Sequence, residues 1–77
     1  GVMNINEIRG NMTEAALSVE CVMRGYPRIS LKELSEACFL SQAAVEFIIE
    51  QMICFGVAKR SGSGRYSLTD EYKQATF

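Results

Sequence analysis

The sequence predicts a mainly helical α+β domain, three helices closed by a C-terminal β-hairpin, and three observations carry that prediction. Two helix-capping serines, Ser30 and Ser41, each stand directly before a run of apolar residues at helical spacing. Gly56 follows the second run, where a glycine takes the left-handed conformation without strain. Beyond it two short strand-like runs, residues 57–60 and 65–68, flank the flexible loop Ser61-Gly62-Ser63-Gly64. Two helices joined by a tight turn and followed by a basic hairpin make a helix-turn-helix with a wing.

Taken in order, residues 2–9 hold Val2, Ile5 and Ile8 at helical spacing, with Asn4 and Glu7 as a capping pair, and read as a short arm spanning residues 1–10. Asn11 with Glu14 is the next capping signal. Met12, Ala15, Ala16, Val19, Val22 and Met23 then give a continuous apolar face for the first helix, which Leu17 and Cys21 widen. Gly25-Tyr26-Pro27 stops it, and Arg28-Ile29 is placed to form a small strand beside the wing.

Ser30 with Glu33 three residues on is a capping box, so the second helix starts at Leu31. Leu31, Leu34 and Ala37 form its buried stripe, and Lys32, Glu33, Ser35 and Glu36 are expected to face water. Leu40 plugs the turn. From Gln42 the third helix, residues 42–55, repeats Val45, Ile48, Ile49, Met52 and Phe55 at three and four, the mark of packing on a core. After the wing, residues 57–68, the tail at 70–77 is either a frayed end or a short helix capped by Thr69 or Asp70 that docks Tyr72 and Phe77.

At 77 residues the chain is one domain, near the lower size at which a single core suffices. A hydrophobic share of 48% with one proline argues for a folded chain. No apolar run approaches the ~20 residues of a membrane span, and no basic stretch precedes an apolar one as in a leader, so the expected location is the cytoplasm. Cys21, Cys38 and Cys54 lie far apart in the sequence and no histidine exists, so no metal site is expected. They read as three buried small hydrophobes in a reducing compartment.

Leu31, Leu34, Ala37, Leu40, Ser41, Val45, Ile49, Met52, Gly56-Val57 and Lys59-Arg60 together resemble the small winged-helix DNA-binding domains of bacterial transcription regulators. These include the MarR and ArsR types and the compact fimbrial-operon (FaeA-like) and iron-transport (FeoC-like) types. The resemblance implies a DNA-binding regulator and covers most of the chain. FeoC-like proteins carry cysteines in the wing. This wing has none, which counts against an iron–sulfur role, and no cofactor is expected. In the turn between the helices, where the family usually has glycine or a small polar residue, this chain has Phe39.

Net charge is −1, from eight basic and nine acidic residues, which is far from the basic balance of a protein held mainly by phosphates. Its distribution says more. Residues 57–66 carry Lys59, Arg60 and Arg65 and no acid, giving +3, whereas residues 30–56 set Lys32 against Glu33, Glu36, Glu46 and Glu50, giving −3.

Two functions follow from that pattern. In the first, a homodimeric transcription regulator puts helix 42–55 in the major groove of double-stranded DNA and lays the wing on the backbone. The candidate DNA-binding residues are Ser41, Gln42, Ala43, Glu46, Phe47, Lys59, Arg60 and Arg65: Gln42 suits adenine, Ser41 a phosphate and Glu46 the cytosine amine. In the second, the fold is a protein-interaction module that does not bind DNA, with Phe47 and Ile53 as anchors and the acidic helix as a specificity rim. Surplus apolar surface at Ile53, Cys54 and Phe55 is the ground for expecting a homodimer. An enzyme is not expected, because there is no histidine, no acid pair in a cleft and no phosphate-cradling GxxxxGK.

Overall fold

The computed structural model describes residue 10 and residues 12–75 of the chain. The expected arm at 1–10 lies outside the described residues except for Gly10, as do the Asn11 cap and Phe77. The described elements run α1 (Glu14–Arg24), β1 (Ile29–Ser30), α2 (Leu31–Cys38), α3 (Gln42–Cys54), β2 (Ala58–Ser61), β3 (Arg65–Leu68) and α4 (Asp70–Ala75). The three strands form an antiparallel sheet in the order β1-β3-β2. This is a winged helix-turn-helix, mainly helical, and among the described residues the tail forms α4, the short-helix reading of the two the sequence offered.

Local chemistry explains the element ends. Thr13 caps α1, its hydroxyl oxygen accepting from the Ala16 amide at 3.1 Å, two residues after the expected cap. At α2 the capping box is complete: the Glu33 amide donates to Ser30 Oγ at 3.2 Å and the Ser30 amide donates to Glu33 Oε1 at 3.1 Å. Ser41 caps α3 by accepting from the Ala44 amide at 3.1 Å. Helix α3 ends one residue earlier than expected. Gly56 follows at φ +76°, its amide bonded to the Ile53 carbonyl and the Val57 amide to the Met52 carbonyl, the paired bonds of a Schellman stop.

The core comes from every element: Val19 and Met23 of α1, Leu34 of α2, Val45, Ile48, Ile49 and Met52 of α3, Ile29, Ala58 and Leu68 of the sheet, and Tyr72 of α4. Helices α2 and α3 meet at a bend of 110°, a helix-turn-helix crossing, and Leu40 packs on the core at the bend. Among the described residues no single helix is long and apolar enough to cross a membrane.

Several expectations need correction. Ser35, expected in water, is buried and donates its hydroxyl to the Lys32 carbonyl at 2.9 Å, whereas Ala37 is exposed. The inward stripe of α2 is therefore Leu31, Leu34, Ser35 and Cys38, a true three-and-four spacing that the i, i+3, i+6 reading drifted away from. Phe55, placed by the sequence both in the core repeat and in the surplus apolar surface, is 69% exposed, because α3 has turned past the core by the residue that closes it. Cys21 and Cys54 are exposed and only Cys38 is half-buried, so the cysteines are not three interior hydrophobes. The strand beside the wing is Ile29–Ser30 rather than Arg28-Ile29.

Candidate nucleic-acid interface

Helix α3 buries one side, and its other side is set by periodicity. Ala43, Glu46, Phe47 and Glu50 fall at i, i+3, i+4 and i+7, opposite the buried Val45, Ile49 and Met52. Ser41, Gln42, Ala43, Glu46 and Phe47 are all exposed, Phe47 at 64%. The Ser41 hydroxyl oxygen accepts in the cap and keeps its proton for a further acceptor.

The wing stands beside that surface. Its register pairs Lys59 with Ser67, Arg60 with Tyr66 and Ser61 with Arg65. Because side chains alternate along a strand and paired residues share a face, Lys59 and Arg65 lie on one side of the hairpin and Arg60 on the other. Arg60 forms an ion pair with Glu50, which joins β2 to the outward stripe of α3. Arg65 approaches Glu33 at 3.7 Å, which joins β3 to the start of α2. Lys59, exposed, has no ion pair among the described residues.

Sequence reasoning counted three wing cations as an unopposed +3. Two of them face carboxylates of the helices. The missed signal was present in the charge tally, −3 beside +3, but which acid meets which base is decided by tertiary packing.

Glu33 has two tasks. The Ser30 amide and hydroxyl, the latter donating at 3.0 Å, and then Arg65 hold its carboxyl below the ordinary carboxylate range. That cap contribution is present above the ordinary value and is lost as pH falls through the lowered one.

Phe39 sits in the turn at φ +58°, a left-handed conformation that non-glycine residues rarely adopt, and is 94% exposed. Its own amide and that of Leu40 both donate to the Ser35 carbonyl, so α2, like α3, ends on a left-handed residue followed by an amide bonded five residues back, with phenylalanine in the place of Gly56.

Away from this surface, a shallow apolar cleft of about 100 Å³ lies between the start of α1, at Met12, Thr13 and Ala16, and the end of α3, at Ile48, Gln51 and Phe55. It is small beside the ~300–1,000 Å³ of ordinary ligand sites. Among the described residues no group of three His, Cys, Asp or Glu side chains gathers as a metal site would require.

A second polar network, absent from the sequence reading, lies between α1 and α4. The Glu20 carboxylate, 1% exposed, accepts from Arg24 Nε at 2.6 Å and from the Tyr72 hydroxyl at 2.5 Å. Arg24 also stands 5.4 Å from the centre of the Tyr72 ring.

No protein-family model matches this chain, and no curated protein matches it. Among solved structures it is similar to a MarR family transcriptional regulator from Silicibacter pomeroyi DSS, with a TM-score of 0.72 and 20% identity over 78% of this chain and 44% of that one. The chain thus spans less than half the length of the protein it matches. Likeness at that identity shows the fold.

Proposed function

We propose that this chain is the DNA-binding winged-helix domain of a transcription regulator, acting as a cytoplasmic homodimer on double-stranded DNA. Its α3 lies in the major groove, with Gln42, Ala43 and Glu46 reading base edges, while Lys59, Arg60 and Arg65 place the wing on the backbone. The observation that carries the reading is the Arg60–Glu50 pair, because it joins the Arg60 face of the wing to the outward side of α3. With its side chains a helix is about 10–12 Å across, which matches a groove ~12 Å wide, and the 13 residues of α3 run about 20 Å along it.

A second reading is favoured by one observation of its own. Phe39 at 94% and Phe47 at 64% exposure, with Glu46 beside Phe47, suit a protein-interaction module whose partner brings a cation and an apolar pocket. Ile53 is half-buried against the core, which leaves Phe47 as the anchor of that alternative.

An anisotropy titration with a random-sequence duplex across a salt series separates the two. The DNA reading expects binding at low salt that weakens as salt rises, with a shallower slope when Lys59, Arg60 and Arg65 are replaced by alanine. Silence at low salt would move the conclusion to the interaction module.

A further inference from the structure

We propose that Glu33 and Glu50 are built-in competitors of the DNA backbone, so that a duplex engages the wing by displacing carboxylates that already hold two of its cations. The inference rests on the DNA-binding reading and names how that surface is tuned.

Both ion pairs cross from the wing to the helix-turn-helix, and neither lies within the wing. Arg60 reaches Glu50 on the same stripe as Ala43, Glu46 and Phe47, the stripe that would face the groove. Arg65 lies opposite Ser30 in the sheet, and Glu33 is held by Ser30 through the capping box, so this acid is fixed beside the arginine. Among the described residues, two of the wing's three positive charges are matched in the free protein and Lys59 is not.

All four side chains are roughly half exposed, Arg60 and Glu50 at 60% and 46% and Arg65 and Glu33 at 47% and 53%. Exposed pairs of this kind are weak and exchangeable. An arginine fork bonds phosphate as readily as carboxylate, so each arginine can change partner without moving its backbone. The released acid then sits near the phosphates and opposes them. Low affinity for arbitrary duplex is the consequence, leaving discrimination to the α3 face.

The test uses E50Q and E33Q, both of which keep side-chain length. Glutamine at position 33 still accepts from the Ser30 amide, so the cap survives. E36Q is the control, since Glu36 is an exposed acid of α2 outside the base-reading set and has no ion pair among the described residues. Anisotropy with a random-sequence duplex across a salt series is expected to give tighter low-salt binding by about fivefold for E50Q and for E33Q, and more for the double variant. The log–log salt slope is expected to steepen by about one per acid removed. E36Q should tighten binding less and leave the slope unchanged.

Equal gains in E36Q and E50Q would overturn the proposal, since net charge alone would then explain them. Wild-type affinity and slope in both E33Q and E50Q would overturn it as well, with the DNA-binding reading left standing. Silence of the wild type and every variant at low salt would remove that reading itself. Should E33Q fold poorly in thermal melts, E50Q against E36Q decides alone.

Discussion

Arginine meets glutamate on two sides of this molecule, and the two settings have different consequences. Between α1 and α4, Glu20 is sealed from water and held by Arg24 and by the hydroxyl of Tyr72, whose own side chain is fully buried. Between the wing and the helix-turn-helix, Glu50–Arg60 and Glu33–Arg65 stand half in solvent. A buried carboxylate stripped of its partners is left with a large desolvation cost, so the first network is structural. The second, screened by water and salt, adds little to folding and remains free to exchange partners. The side that secures the fold and the side that would meet a ligand use the same pair of residue types.

The largest expected effect tests the first half of that contrast. Glu20→Ala should destabilise the fold by about 3 kcal/mol in urea unfolding, because the Tyr72 hydroxyl and Arg24 lose their acceptor. Tyr72→Phe keeps the ring and should cost about 1 kcal/mol. If both variants unfold with the wild type, the network is decorative and the contrast fails.

The pH dependence follows from Tyr72. Burial, then the bond to Glu20, pushes its phenol from 10.0 up to about 12. A raised value means that the folded state keeps the proton the unfolded chain gives up. The contribution is whole below about pH 10 and is lost as pH rises towards 12. Denaturant midpoints that fall across that window in the wild type but not in Tyr72→Phe are the expected result.

A smaller and opposite effect is expected at the turn. Phe39→Gly should stabilise by about 1 kcal/mol, since glycine takes a φ of +58° without strain and nothing packs on a ring that is 94% exposed. A loss of stability would mean that the ring packs on its surroundings. Smallest of all, Glu50→Gln should change stability by less than about 0.5 kcal/mol while altering duplex binding, the signature of an exchangeable pair.

Much of this architecture was legible in the sequence because its signals are local. Ser30 with Glu33, Ser41 before the α3 repeat, Gly56 and the glycine-bearing loop each act within four or five residues, and each starts or ends an element within one residue of its expected place. Errors of phase arose where polar and apolar preferences compete, as at Ser35, whose hydroxyl is satisfied by its own helix and can therefore be buried. Contacts between distant residues were not legible. Tyr72 meets Glu20 across 52 positions, and Arg60 meets Glu50 across ten, so no spacing rule links them. The exposed positions of the candidate site followed from the core stripe of α3, whereas its electrostatics depended on those distant pairings.

The central claim is that α3 and the wing form one surface for duplex DNA. Backbone amide NMR of the ¹⁵N-labelled chain, titrated with a random-sequence duplex at low salt, tests it most directly. Shifts concentrated at Gln42, Glu46, Glu50, Lys59, Arg60 and Arg65, with Glu20 and Tyr72 unmoved, are predicted. Shifts gathered around Glu20 and Tyr72, or none at any amide, would contradict it.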